Sequence, residues 1–237
     1  VDFWNHGSGI DRSDPIEKRG IAYDDSSNDH LSEMEVERIL SRMKNKIGHN
    51  IDIVGMDACL MGMLEIEAQF KDYADYYVAS EETEPGDGWE YNLEPLMDNT
   101  SMSPRELALE IGRAYEKRYK YTPDTTFSVV ELNKIDNVLD KLNSFSQRLK
   151  TINRREIKDN FDSSVHFHYE YSKDLVDLAS KFNITEANSL ISSIEDAVIY
   201  NYSYDNNTGG IAIATGYPTN LYEQYNISID TQWDELM

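Results

Sequence analysis

The chain holds a single cysteine, Cys59, in the stretch Met56-Asp57-Ala58-Cys59-Leu60-Met61-Gly62. A thiol becomes a useful nucleophile when a nearby base lowers its effective pKa. The candidate bases are His6, His30, His49, His166 and His168. His6 stands apart by context, because it follows the apolar strand end Val1–Asn5 and precedes Gly7-Ser8-Gly9. Small residues there let a substrate backbone come close. The N–H groups of Gly7 and Cys59 are then candidates to hold a tetrahedral oxyanion. Asp57 lies one strand period before Cys59 and faces the same pocket, where a carboxylate suits a Lys or Arg side chain. Taken singly, a cysteine at a strand end is most often a small buried hydrophobe. The pairing of His6 and Cys59 at two strand ends, 53 positions apart, is what carries the catalytic reading.

These residues need a scaffold that brings the two strand ends together. Val1–Asn5, Ile51–Met56, Tyr76–Ser80, Thr126–Leu132 and Gly210–Thr215 read as strands. Helices are expected over Leu31–Lys46, Met61–Phe70, Ser103–Lys120, Lys134–Ile152 and Ser189–Tyr200. Ser32 with Glu35 forms a capping box, and Pro104 takes the favoured first helical position. The helix expected just beyond Cys59 would point the Cys59 amide outward. Alternation of strand and helix implies a mostly parallel sheet covered by helices on both faces. Ligands then sit beyond the carboxyl ends of the strands, where His6 and Cys59 fall. Asn153–Tyr171 reads as an irregular insertion, and Glu81–Trp89 as a loop with Pro85, Gly86 and Gly88.

The composition narrows the class. The net charge of −22, from 44 acidic and 22 basic residues, repels nucleic acid and anionic lipid and favours cationic ligands. One cysteine allows no internal disulfide. No apolar run approaches the ~18 residues of a membrane span. The chain begins Val1-Asp2-Phe3 without an initiator Met, so residues upstream are expected to be missing, and any targeting signal with them.

The spacing of His6 and Cys59 is close to the roughly 50 residues between the caspase histidine and cysteine. Beyond that, the segments WNHGSG (Trp4–Gly9), KRGIAYDDSSNDHLSEMEVERIL (Lys18–Leu40), IDIVGMDACLMGMLEIEAQF (Ile51–Phe70) and ASEETEPGDGWEY (Ala79–Tyr91) resemble the clostripain-like cysteine proteases, relatives of caspases and gingipains. They cover most of the first ~95 residues, and the last ~100 match loosely through GIAIATGYP and Trp233-Asp234-Glu235-Leu236. The resemblance implies a caspase-like α/β three-layer sandwich, lacking here its amino-terminal strand and helix. It implies one peptidase domain over 1–237, with a catalytic core at 1–132 and a helical and C-terminal sheet extension at 133–237. His6 and Cys59 become the catalytic dyad, cleaving after Arg or Lys. Asp57 takes the position of the specificity acid, and Asp87 in Pro85-Gly86-Asp87-Gly88-Trp89 is a second candidate.

Family habit also implies a zymogen that cuts itself, and Lys18 or Arg19 is the expected cut site, ahead of Arg12. No cofactor is required by this reading. Calcium is a weaker option at Asp24-Asp25-Ser26-Ser27-Asn28-Asp29, which offers oxygen ligands but no EF-hand spacing. His166-Phe167-His168 lacks a third zinc ligand nearby in sequence. The expected partners are protein or peptide substrates, and the expected location is outside a bacterial cell or on its surface. Two alternatives remain open at this point. One is a catalytically silent relative acting as a surface binding or scaffold domain. The other is Cys–His chemistry on small amides or acyl groups.

Overall fold

A computed structural model describes residues 1–10, 20–24, 26–27, 29–90, 97–205, 207–216 and 222–236. Its centre is a five-stranded sheet in the order β1, β4, β5, β6, β8. The strands are β1 (Asp2–Trp4), β4 (Ile51–Asp57), β5 (Ala74–Ala79), β6 (Thr126–Glu131) and β8 (Val198–Ser203). β1, β4 and β5 pair in parallel, while β6 pairs antiparallel with both β5 and β8. Four of the five strands therefore run one way, and β6 runs against them. The expectation of a mostly parallel, helix-flanked α/β sheet holds.

Side chains alternate along the strands and feed two cores. Val54, Met56, Tyr77 and Ala79 point to one face, where α1 (Glu33–Ile47), α2 (Leu64–Phe70), α4 (Ile135–Leu149) and α7 (Thr185–Ala197) pack. Val78, Phe127 and Val129 point to the other, where α3 (Pro104–Tyr119) contributes Ala108, Tyr115 and Tyr119. Burying each such large side chain contributes about 1.5–3 kcal/mol. The caps predicted for two helices are present. Ser32 and Glu35 close a capping box on α1, and Ser103 and Glu106 close another on α3, with Pro104 in its first turn. Gly48 ends α1 in the left-handed conformation (φ 85°) and donates to the Lys44 carbonyl.

Several expectations are corrected. The segment expected to be irregular, 153–171, opens with α5 (Arg154–Asp162), capped by the Asn153 side chain on Arg155 N–H. Val198–Tyr200 is not the end of a helix but the start of β8, because it pairs with β6 in the sheet. The strand within Gly210–Thr215, β9 (Ala212–Ala214), does not join the central sheet; it pairs with β7 (Ser172–Asp174), which leads into α6 (Leu175–Ser180). A two-stranded unit, β2 (Ile21–Asp24) with β3 (Asp29–Leu31), went unpredicted. The short α8 (Asn226–Asp230) completes the regular elements near the C-terminus.

All seven residues of α2 are buried, including Glu65 and Glu67. Glu65 Oε1 accepts from Ala214 N–H (2.9 Å) and Tyr222 O–H (2.8 Å), joining α2 to the C-terminal segment. Neither carboxyl oxygen of Glu67 has a hydrogen-bond partner among the described residues. Burial, then the neighbouring Glu65, pushes its pKa well above the ordinary value. Native protein therefore keeps a proton here that the unfolded chain has already released, so stability falls as pH rises through that window. Glu67→Gln is expected to lose part of this fall, gaining roughly 1–3 kcal/mol relative to wild type at pH 8 but little at pH 4. Thermal unfolding of both proteins at the two pH values checks it. A variant whose Tm falls as steeply as wild type would remove Glu67 as the source.

Candidate active site

Strand register sets the site. In the parallel pair β1–β4, Trp4 lies opposite Asp57, and Asn5 N–H donates to the Asp57 carbonyl at 3.3 Å. His6 and Cys59 each follow two residues later, so both leave the sheet at the same rim, on neighbouring strands. The two turns then touch. A Cβ placed on Gly7 would lie 2.6 Å from the Cys59 carbonyl oxygen and 3.0 Å from Ala58 Cβ. Only glycine fits there, and its absence of a side chain is what brings the His6 turn against the cysteine turn. The His6 segment is also held by β2: Ala22 N–H donates to His6 C=O and Ser8 N–H to Gly20 C=O, each at 3.2 Å. That bridge leaves out the Gly7 N–H. Among the described residues, no carboxylate pairs with the exposed His6 ring.

Cys59 is half-buried and sits in a turn, not at a helix start as expected. Met63 is extended where it bridges Ala212, which delays α2 until Leu64. Leu60 has a left-handed φ of 64°, an uncommon state for a leucine and a form of strain that clusters at functional sites. This turn is stitched to the segment after β5. Leu60 N–H donates to Glu82 C=O (3.0 Å) and Gly62 N–H to Ser80 C=O (2.7 Å). Glu84 N–H points at Cys59 Sγ at 3.2 Å. The Glu84 carbonyl oxygen lies 3.9 Å from the same sulfur, so residue 84 holds the thiol through its main chain.

Asp57 is 3% exposed. Its Oδ2 accepts from Trp89 N–H at 2.9 Å. Gly88 covers it so closely that an added Cβ would be 2.8 Å from Oδ2 and 2.9 Å from the Trp4 indole nitrogen. Beside it lies Glu84, whose two carboxyl oxygens accept from the Trp89 indole N–H at 3.1 and 3.0 Å. Glu84 keeps some surface as a residue, but its carboxyl head turns inward against Trp89 and Asp57. Burial pushes its pKa well above the usual range; hydrogen bonding from Trp89 opposes this and the Asp57 carboxylate reinforces it.

The sequence placed four residues that the fold brings together: His6, Gly7, Asp57 and Cys59. Asp87 goes elsewhere. Its side chain is 85% exposed and faces Arg118 at 3.5 Å, so it does not join Asp57. Lys18, Arg19 and Arg12 lie outside the described residues, as do Asp25 and Asn28 of the acidic stretch. Asp24 accepts from Ser26 N–H, Ser26 O–H and Ser27 O–H, and these bonds, led by Ser26, hold its pKa down to about 2. Among the described residues no group of three or more His, Cys, Asp or Glu is arranged to hold a metal. Glu84 and Trp89 were missed as site residues. The sequence signal for them was the Glu84-Pro85-Gly86-Asp87-Gly88-Trp89 run itself, a tight turn flanked by a carboxylate and an indole. A cavity of about 1210 Å³ opens elsewhere, between Ile157, Phe161, Tyr171 and Leu236, and His166 lines it while His6, Asp57, Cys59 and Glu84 do not.

Comparison with known proteins gives the family and the fold. The clostripain family (peptidase C11) model matches residues 1–234. Clostripain from Hathewaya histolytica is 24% identical over 262 residues, covering 86% of this chain and 49% of the relative. The chain thus spans about half the length of that curated relative. A secreted C11 cysteine protease from Bacteroides thetaiotaomicron, solved with an irreversible peptide inhibitor, superposes with a TM-score of 0.73 at 20% identity, covering 99% of this chain and 72% of that one. An inactive zymogen C11 protease from Parabacteroides distasonis gives 0.69 at 18% identity, covering 97% and 69%. No helix among the described residues is long and apolar enough to cross a membrane. A family match over nearly the whole chain, on a fold shared with C11 proteases, leads to one conclusion: the chain belongs to the clostripain family of cysteine peptidases.

Proposed function

We propose that this chain is an endopeptidase that cleaves after Arg or Lys, with Cys59 as nucleophile and His6 as proton shuttle. The observation that carries the reading is the β1–β4 register, which delivers His6 and Cys59 to one rim with Asp57 two residues behind the thiol. His6 takes the thiol proton, and the thiolate attacks the substrate carbonyl carbon. The N–H groups of Gly7 and Cys59 hold the resulting oxyanion. His6 returns the proton to the departing amine as the C–N bond breaks. Water, deprotonated by His6, then hydrolyses the thioester and frees Cys59. Asp57 receives the cationic side chain before the scissile bond. A cation reaching it has to displace the Gly88 cover.

The preference is supported by a structural neighbour from Bacteroides thetaiotaomicron solved with the peptide inhibitor BTN-VLTK-AOMK, whose VLTK sequence ends in lysine. The zymogen neighbour supports synthesis as a precursor and the secreted neighbour supports export, and self-cleavage after Lys18 or Arg19 is what the family resemblance implies. Fluorogenic peptides ending in Arg, Lys, Asp and Leu test the reading on the full chain. Turnover of the Arg or Lys peptides is expected at least ~10²-fold faster than of the other two. Mass spectrometry of the active protein is expected to show the cut after residue 18 or 19. Preference for Leu or Asp would overturn the specificity, and no turnover by folded, processed protein would overturn the enzyme.

A further inference from the structure

The mechanism above gives no role to Glu84, yet this residue touches both ends of the site. Its main-chain N–H donates to Cys59 Sγ at 3.2 Å. Its side chain shares one tryptophan with Asp57: the Trp89 backbone N–H serves Asp57, and the Trp89 indole N–H serves Glu84. Trp89 thus brings the two carboxyl groups together, and burial with the neighbouring Asp57 carboxylate pushes the Glu84 pKa well above its ordinary value. Two ionised carboxylates held this closely, away from water, repel strongly. We propose that Glu84 is a second specificity acid, and that with Asp57 it holds one proton in the resting enzyme and exchanges it for the cationic side chain of an Arg or Lys substrate.

The exchange balances. The resting pair carries one proton and one negative charge. On binding, the proton leaves to solvent, the pair carries two negative charges, and the guanidinium or ammonium compensates one of them. Substrates without a cation cannot expel the proton, so the resting pair also discriminates against them. The other groups facing Glu84 do not supply a competing cation. Cys59 lies beside it, and Tyr77 on β5 and Tyr115 on α3 are within electrostatic reach of it. Both tyrosines are pushed upward by burial and stay neutral across the working range. Tyr119 faces Asp57, and Arg118 is engaged with Glu90 and Asp87. The indole of Trp89 donates but carries no charge.

This inference rests on the proposed Arg/Lys specificity, and the test separates the two. Benzamidine serves as the cationic probe, because its inhibition constant reports pocket binding without acylation. The constant is measured from pH 5.5 to 8.5 for wild type and Glu84→Gln, alongside turnover of the Arg and Leu peptides and the rate of Cys59 alkylation by iodoacetamide. Wild-type binding is expected to tighten as pH rises, with one proton released per benzamidine bound. In Glu84→Gln the constant should be about 10–100-fold weaker and flat over this range. Alkylation should change less than about threefold, since the residue 84 N–H on Cys59 Sγ is retained. If wild type prefers Arg but Glu84→Gln keeps the same constant and pH profile, the second acid is wrong and the specificity reading stands. If alkylation and Leu turnover fall as far as benzamidine binding, Glu84 is a structural support and the inference also fails. If wild type shows no preference for Arg or Lys, the underlying reading fails first.

Discussion

Cys59→Ala is expected to abolish peptidase activity, with kcat/KM falling at least about 10³-fold in a protein that folds as wild type does. The size follows from what the thiol does. Without it no acyl-enzyme forms, and the remaining donors at Gly7 and residue 59 can only bind the carbonyl, a residual effect. Cys59 is half-buried at a turn, and alanine removes one sulfur without filling space, so the fold is expected to survive. His6→Ala should cost a similar amount, and the double variant little more than either alone, because a nucleophile and its base act as a unit. The check is steady-state turnover of an Arg peptide, with thermal unfolding run beside it. A Cys59→Ala protein with a tenth of wild-type activity would exclude Cys59 as nucleophile, and additive losses in the double variant would separate His6 from it.

The second large effect is expected at Asp57. Asp57→Asn keeps the shape and an oxygen for the Trp89 N–H, so the pocket wall should persist. What it removes is the charge facing a desolvated guanidinium or ammonium. Loss of one partner from a buried ion pair costs roughly 3–5 kcal/mol. That is about 10²–10⁴-fold in kcat/KM for Arg and Lys peptides, with Leu peptides almost unchanged. Measuring the Arg-to-Leu ratio in both proteins checks it. A folded Asp57→Asn that holds its ratio within threefold would show that cation recognition lies elsewhere.

Local signals in the sequence carried much of the fold. Ser32 with Glu35 and Ser103 with Pro104 marked helix starts because a cap satisfies donors within three or four residues of itself. Ile51–Met56 was legible as a buried strand because Ile51, Ile53, Val54 and Met56 crowd four apolar side chains into six positions, and the strand runs on to Asp57. What failed was non-local. Val198–Tyr200 continues the pattern of the helix before it, and only pairing with β6 makes it a strand. Ala212–Ala214 reads as a core strand, yet its partner is β7, which a sequence pattern does not reveal. The acids of α2 look like an exposed helix face, but Tyr222 and Ala214 arrive from some 150 residues away to cover Glu65.

The same division runs through the site. The sequence by itself picked out the candidate reacting groups, one thiol and one histidine at strand ends, and the acid one strand period before the thiol. Those are properties of residue type and short spacing, and chain geometry fixes them locally. The tertiary structure alone decided which acids meet on Trp89. Asp87 is three residues from Glu84, and the turn at Pro85–Gly88 sends them in opposite directions, Asp87 out to Arg118 and Glu84 inward to Trp89 and Asp57. Direction across a turn depends on what packs beneath it, here the Trp89 indole against Phe127, and that contact joins residues too far apart in sequence for any local pattern to record.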